Sequence, residues 1–305
     1  VRVYYDTVTS SSSDTGLQFA GSGGNNNSVG TEAWNNPGQI TAQDTTYASV
    51  ESTPADIALN SASSTIDAFT GTVSYSHTVN SGNNRVLVVG VVAREVTEAT
   101  GVTYAGQSLT KLIDVPNTFN HEGTDYYQSA SMWYLLDPPT GTNTVVVSMN
   151  RAKKATTPAN TYDDHSIASG AITLNNVAQQ APEAIETGKI VARTVTTAIT
   201  TLTDGAWLVN IAGFSLDQVQ NSPGSGQTER YERSNLYLQT SGSTKAVANA
   251  GSTSMSWTDS GTYGSMWNHI VAAFAPASGG GSVTTNYLRA SNFGFNVPND
   301  ATIDG

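Results

Sequence analysis

The sequence contains no cysteine, so neither disulfide bonds nor thiol chemistry can contribute to this protein. Charged residues are also sparse at 12% of the chain, and acidic residues outnumber basic ones by 24 to 13. The net charge of -11 argues against nucleic acid as a partner, because the chain has no basic patch to neutralise phosphates. It argues equally against attraction to an anionic membrane surface.

Long apolar runs are missing as well. The longest, residues 86–93, has the length of a strand and falls far short of the roughly 20 residues that cross a bilayer. We therefore expect no membrane insertion. The chain starts with Val1 and carries no signal peptide, so residue 1 is expected to be a processed or internal end. Abundant Ser, Thr, Asn and Gly with few Lys predict an extracellular location, on a cell surface or a virion.

Strand patterns fill the centre of the chain, and helical periodicity is nearly absent. Residues 69–79 alternate between apolar and polar, whereas residues 85–93 are apolar on both faces and predict a central strand. Residues 102–113 predict a hairpin that turns at Ala105-Gly106. The other predicted strands cover residues 129–139, 142–149, 167–177, 205–214, 227–233, 253–257 and 265–276. Closely spaced strands of this kind predict an all-β fold, an antiparallel β-sandwich or jelly roll.

The flanks of this region differ in composition. Residues 8–33 are rich in Ser, Gly and Asn, and residues 277–283 read as a flexible Gly-Ser connector. We therefore place one β-sandwich domain at residues 57–277. Residues 1–56 and 278–305 are expected to hold partial material on either side of it.

Several stretches of the central region have a recognisable pattern: RVLVVGV, VTYAGQSLTKL, SMWYLLDPPTGTNTVVVSM, GAITLNNV, GAWLVNIAGF, GQTERYE and STSMSWT. With these stretches, most of residues 65–276 resembles a β-sandwich module that recurs in large bacterial surface proteins, including adhesins, and in phage fibre and tail proteins. Such modules are generally binding or structural units.

The flanks resemble a second module of the same proteins. Its opening looks like AWNNPGQITAQDTTYASV, interrupted after Val50 and continued by TNYLRASNFGFNVPNDATIDG, and its final strand looks like VRVYY. The resemblance implies a sandwich inserted into a second, incomplete β-sandwich module. On this reading the chain stops just before the next core strand of the host module.

The two ends of the chain suggest how the incomplete module is completed. Val1, Val3 and Tyr5 would lie on one face of a strand and Arg2 and Tyr4 on the other. An open sheet edge beyond Ile303 would accept such a strand from a neighbouring unit. The function implied is a structural subunit or repeat of an extracellular filament, adhesin or phage fibre. Its partners are copies of itself in a head-to-tail polymer, or, alternatively, the pairing lies within one longer tandem polypeptide.

A glycan-binding module of a secreted or virion protein is the alternative. Tyr126, Tyr127, Tyr231 and Tyr237 are candidates for a stacking platform, because the CH groups of a sugar pack well on aromatic rings. Four tryptophans fall within strand patterns and are expected in the core: Trp133, Trp207, Trp257 and Trp267.

Of the metal-binding and catalytic motifs considered, none is complete in this sequence. Asp163 and Asp164 in a loop could offer oxygen ligands to Ca²⁺, the one cofactor considered, although the EF-hand spacing is absent. The histidines are scattered, and His77 and His269 fall in strands, where edge or satisfied core positions are expected. Residues 213–217, GFSLD, lack the second glycine of a nucleophile elbow. We therefore expect no enzyme.

Overall fold

The computed structural model describes residues 18–20, 26–28, 55–68, 72–94, 98–121, 124–150, 166–215, 220–235, 238–261 and 264–277, which form strands and no helix. The chain divides into two compact units, residues 53–278 and residues 1–52 with 279–305. In the discontinuous unit, the described residues are the antiparallel strands β1 (Gln18–Ala20) and β2 (Asn26–Ser28). The described part of the other unit, residues 55–277, is called the body.

The first half of the body contains two antiparallel sheets. Its strands are β3 (Ala58–Ala68), β4 (Thr72–Val79), β5 (Val86–Arg94), β6 (Ala99–Tyr104), β7 (Gln107–Ser108), β8 (Thr110–His121), β9 (Thr124–Leu136), β10 (Gly141–Met149) and β11 (Ser166–Asn175). Sheet I has the order β4-β10-β6-β7, and sheet II has the order β3-β11-β5-β9-β8. Together they form the first sandwich.

The second half also contains two antiparallel sheets. Its strands are β12 (Ala184–Ala192), β13 (Thr194–Thr201), β14 (Trp207–Ser215), β15 (Asn221–Pro223), β16 (Thr228–Ser234), β17 (Gln239–Ala246), β18 (Gly251–Asp259) and β19 (Ser265–Phe274). Sheet III has the order β12-β19-β14-β17-β16, and sheet IV has the order β13-β18-β15. Together they form the second sandwich.

The four sheets of the body are stacked as layers in the order I, II, III, IV. One apolar cluster joins sheets I and II, a second joins sheets II and III, and two more join sheets III and IV. Sheets II and III are therefore covered on both faces. Strand β5 shows the consequence, since Leu87 packs toward sheet I, Val88 packs toward sheet III, and every residue of the strand is buried. An antiparallel strand this apolar needs cover on both sides.

The all-β sandwich prediction is confirmed, and each predicted strand of the centre is present. The hairpin turn is also confirmed, because Ala105 and Gly106 have φ of 50° and 79°, and Tyr104 pairs with Gln107. The architecture is larger than predicted, with two stacked sandwiches in place of one. The strands that were missed are β3, β12, β13, β15 and β17, and of these β3, β13 and β17 are rich in Ser, Thr, Ala and Gly.

The tryptophan prediction is correct for three of the four side chains. Trp133, Trp257 and Trp267 are buried. Trp207 is only partly buried and packs against the cluster between sheets II and III, so its expected core position is confirmed in part. As the first residue of β14, it lies at the end of the strand, where neighbouring strands cover it less completely.

Candidate functional site

The two ends of the body meet at one residue, Asn176. Its side-chain Nδ2 donates a hydrogen bond of 2.9 Å to the carbonyl oxygen of Asp56, where the chain enters the body. Its backbone oxygen accepts a 2.8 Å hydrogen bond from the amide of Ala277, where the chain leaves. Next to it, Val177 forms an antiparallel bridge with Pro276. We call this place the junction.

A network of hydrogen bonds between asparagines holds the first strand of the body beside the junction. Asn60 and Asn80 exchange three hydrogen bonds of 2.8–2.9 Å between side chains and backbone. The side chain of Asn60 also donates to Oδ1 of Asn175 at 2.9 Å. Gly82 lies so close that a Cβ there would overlap the Asn175 side chain. These contacts hold β3, the turn after β4 and the end of β11 together where the chain enters.

His77 lies in the core between sheets I and II, surrounded by hydroxyl groups. Its Nδ1 is 2.8 Å from Oγ of Ser63, and its Nε2 is 2.8 Å from Oγ1 of Thr173 and 3.3 Å from Oγ of Ser61. Hydroxyls both donate and accept, so a neutral imidazole is fully satisfied here. Burial lowers the pKa of His77 to about 4.

His269 lies between sheets III and IV, and its proton can be placed from its partners. The Oδ1 of Asn210 accepts from the backbone N of Ser243 at 2.8 Å and from its Oγ at 2.6 Å. Nδ2 of Asn210 therefore donates to Nε2 of His269 at 2.6 Å. The remaining nitrogen, Nδ1, carries the proton and donates to Oγ1 of Thr197 at 2.8 Å.

This arrangement keeps His269 uncharged. A second ring proton would point Nε2–H at the Nδ2 donor of Asn210. Burial lowers the pKa of His269 to about 3, in agreement with that geometry. Both strand histidines are thus core residues whose ring nitrogens are satisfied by hydrogen bonds, and their role is structural.

The tyrosines proposed for a glycan platform do not all reach the surface. Tyr127 and Tyr231 are each 7% exposed, and burial raises the pKa of both. The ring of Tyr231 lies in the cluster between sheets II and III and offers no face to a sugar. The side chains of Tyr126 and Tyr237 lie outside the described residues.

Other predicted site residues also lie outside the described residues: Val1, Arg2, Val3, Tyr4, Tyr5, Asp163 and Asp164. Within the described ranges, no three His, Asp or Glu side chains gather as metal ligands. Across the same residues, no helix has the length and apolarity to cross a membrane.

Sequence reasoning missed the junction and the asparagine network around His269. Asn175-Asn176 lies within the strand predicted at residues 167–177 and carries no signal of its own, whereas Asn210 interrupts the apolar run of β14. The interruption was the available signal, because a lone amide in a buried strand needs internal partners.

The comparisons with known proteins give no relatives. No family model, curated protein or solved structure matches the chain.

Proposed function

We propose that the protein is a structural unit of an extracellular filament, adhesin or phage fibre, in which the body with its two stacked sandwiches is inserted into a second β-module. The observation that carries the proposal is the junction, where Asp56 and Ala277 both bond to Asn176. A domain inserted into another needs its two ends side by side, so that the host chain continues with little disturbance.

The interior of the body suits a load-bearing unit. Its two central sheets are covered on both faces, and its buried histidines and Asn210 are held by internal hydrogen bonds. Buried polar networks whose members are satisfied rigidify a core. Such an interior resists deformation, which a unit joined end to end requires.

Neighbouring units are proposed to join by strand complementation through Val1, Arg2, Val3, Tyr4 and Tyr5. The sequence VRVYY alternates and has no proline, so it can supply a full ladder of backbone hydrogen bonds. A strand passed from each unit to the next is a head-to-tail contact, which builds a filament when the rotation does not close.

We expect Val3→Pro to abolish polymers, because proline removes a ladder donor from the middle of the connecting strand. Sedimentation and negative-stain microscopy of the full chain would measure assembly, and near-UV circular dichroism would show that the body stays folded. The matched control is Ser12→Pro, which places the same residue in the Ser-rich segment and should leave assembly intact. Polymers that persist with Val3→Pro would exclude VRVYY as the connection. A wild-type chain that stays monomeric would exclude assembly between separate copies.

A glycan-binding module is the second candidate, favoured by where two strands begin. Strand β11 ends beside the junction, so it begins at Ser166 at the opposite end of the body; β5 runs antiparallel to it. Strand β9 is antiparallel to β5 and begins at that same opposite end. The glycan candidate Tyr126 is the third residue of β9, and the Ca²⁺ candidate Asp164 precedes β11 by two residues in the sequence.

For this candidate, Tyr126→Ala and Tyr237→Ala should each remove glycan binding on an array while leaving the melting temperature unchanged. Tyr231→Ala is unsuitable as a binding test, because its ring is buried and its loss would destabilise the body. A wild-type chain that binds no glycan would exclude the module, and so would binding that survives both substitutions.

A further inference from the structure

The two sandwiches of the body have the same topology. Sheet II, in the order β3-β11-β5-β9-β8, corresponds strand for strand to sheet III, in the order β12-β19-β14-β17-β16. Sheet I without its short β7 corresponds in the same way to sheet IV. The order in which the chain forms the strands of the two sheets is therefore the same in both sandwiches.

The strand registers make the correspondence specific to single residues. Val86 is the first residue of β5 and pairs with Leu174 and Leu136 of the neighbouring strands. Trp207 is the first residue of β14 and pairs with Phe274 and Ala246 of the strands that correspond to those neighbours. Val86 thus corresponds to Trp207, and every position along the two strands follows from that pair.

Irregular features recur at corresponding positions. The register between β8 and β9 skips Leu112, and the register between β16 and β17 skips Arg230 at the corresponding place. Bulges of this kind are built features of a sheet and not random defects. Left-handed backbone recurs as well, at Asn84 with φ of 50° and at its counterpart Gly205 with φ of 75°.

Equivalent strands also face each other with two-fold symmetry. Strand β3 lies against β16 while β8 lies against β12, and β11 lies against β17 while β9 lies against β19. Each of these pairs is exchanged by a two-fold axis that runs along β5 and β14, between sheets II and III. Along this axis residue i of one copy meets residue i of the other, and away from it every contact between i and j is matched by one between j and i, as in an isologous dimer.

The contacts on this axis join corresponding residues. A Cβ at Gly90 would overlap the side chain of Ile211, which is the counterpart of Gly90. A Cβ at Gly213 would overlap the side chain of Val92, which is the counterpart of Gly213. At the first pair the second sandwich supplies the side chain and the first supplies the space. At the second pair the two roles are exchanged.

Polar pairs that link the outer sheets to the inner ones are exchanged in the same way. Tyr75 of sheet I shares a 3.0 Å hydrogen bond with Ser169 of sheet II. Their counterparts, Thr197 of sheet IV and His269 of sheet III, share one of 2.8 Å. A large and a small partner have changed places while the bond is kept.

We infer that the body is a two-fold dimer of one sandwich fold contained in a single chain. The inner face of each sandwich is an interaction surface, and the partner that it fits is the same face of a second sandwich. Two identical copies would meet with glycine against glycine or isoleucine against isoleucine on the axis. Because of the Gly90–Ile211 and Val92–Gly213 pairs, the inner face of each sandwich fits the other sandwich better than it would fit a copy of itself.

The test exchanges the residues on the axis in the full chain. Ile211→Gly removes a buried side chain and Gly90→Ile adds one against Ile211, so each should lower the melting temperature by roughly 10 °C. Because the positions are equivalent, the double variant should recover at least half of the summed loss. Val92→Gly with Gly213→Val should behave in the same way.

The matched control exchanges a close pair that the axis does not relate. Gly170 lies against Tyr231, yet its counterpart is Ile270. Gly170→Tyr with Tyr231→Gly should therefore show no recovery. Losses that simply add at positions 90 and 211 would overturn the inference, and so would equal recovery in the control pair.

Discussion

Replacing Tyr231 by alanine is expected to destabilise the body by about 3–5 kcal/mol, the range for losing a large aromatic side chain from a core. The ring lies between Gly170 of sheet II and Gly242 of sheet III, and a Cβ at either glycine would overlap ring carbons. No neighbouring side chain projects from those two glycines to refill the space. Denaturant unfolding of the full chain, followed by tryptophan fluorescence, measures the loss.

Tyr231→Phe is the matched control, since it keeps the ring and should change the free energy of unfolding by less than about 1 kcal/mol. Gly242→Ala should destabilise the body from the other side, because its methyl group displaces the same ring. An alanine variant at position 231 that loses less than about 1 kcal/mol would contradict the burial of this side chain between the sandwiches.

The second large effect concerns acid. In the unfolded chain His77 and His269 take up protons near pH 6.5, whereas in the folded body their pKa values are about 4 and about 3. Because both folded values are depressed, the stability they contribute is complete above pH 6.5 and is lost as the pH falls toward the folded values. At about pH 4 the loss is roughly 3 kcal/mol for each histidine.

Free energies of unfolding measured between about pH 6.5 and pH 4 should fall with a slope of roughly 1.4 kcal/mol per pH unit for each histidine. His269→Gln cannot titrate, so its slope should be smaller by one histidine, and the double variant with His77→Gln should lose both contributions. Carboxylates titrate alike in all variants and cancel from the comparison. An unchanged slope in His269→Gln would mean that the ring accepts a proton in the folded body, against the donor that Asn210 presents to it.

The local sequence determined the class of the fold and most of its strands. Residues 86–93 are apolar at every position, and only a strand covered on both faces can bury such a run. Alternation at residues 69–79 placed Val73, His77 and Val79 on the buried face of β4. Turn chemistry was equally local, since Ala105-Gly106 closes its hairpin through two left-handed residues.

Tertiary structure decided what local patterns do not encode. Strand β17, QTSGSTKA, looks like a loop because its residues are small and polar, yet it is buried since Asn210 and Tyr231 occupy the space beside it. The junction depends on residues 56, 176 and 277, which are distant in sequence and meet only when the strands are in register.

The duplication was hidden for a related reason. A contact on the two-fold axis constrains the combined volume of two side chains and not the volume of either one. Gly90 can therefore pair with Ile211 while Val92 pairs with Gly213. Corresponding positions could therefore exchange large for small and lose their likeness in sequence while the packing was kept. The sequence by itself determined that this chain forms strands; the contacts between equivalent faces decided that it forms two sandwiches around one axis.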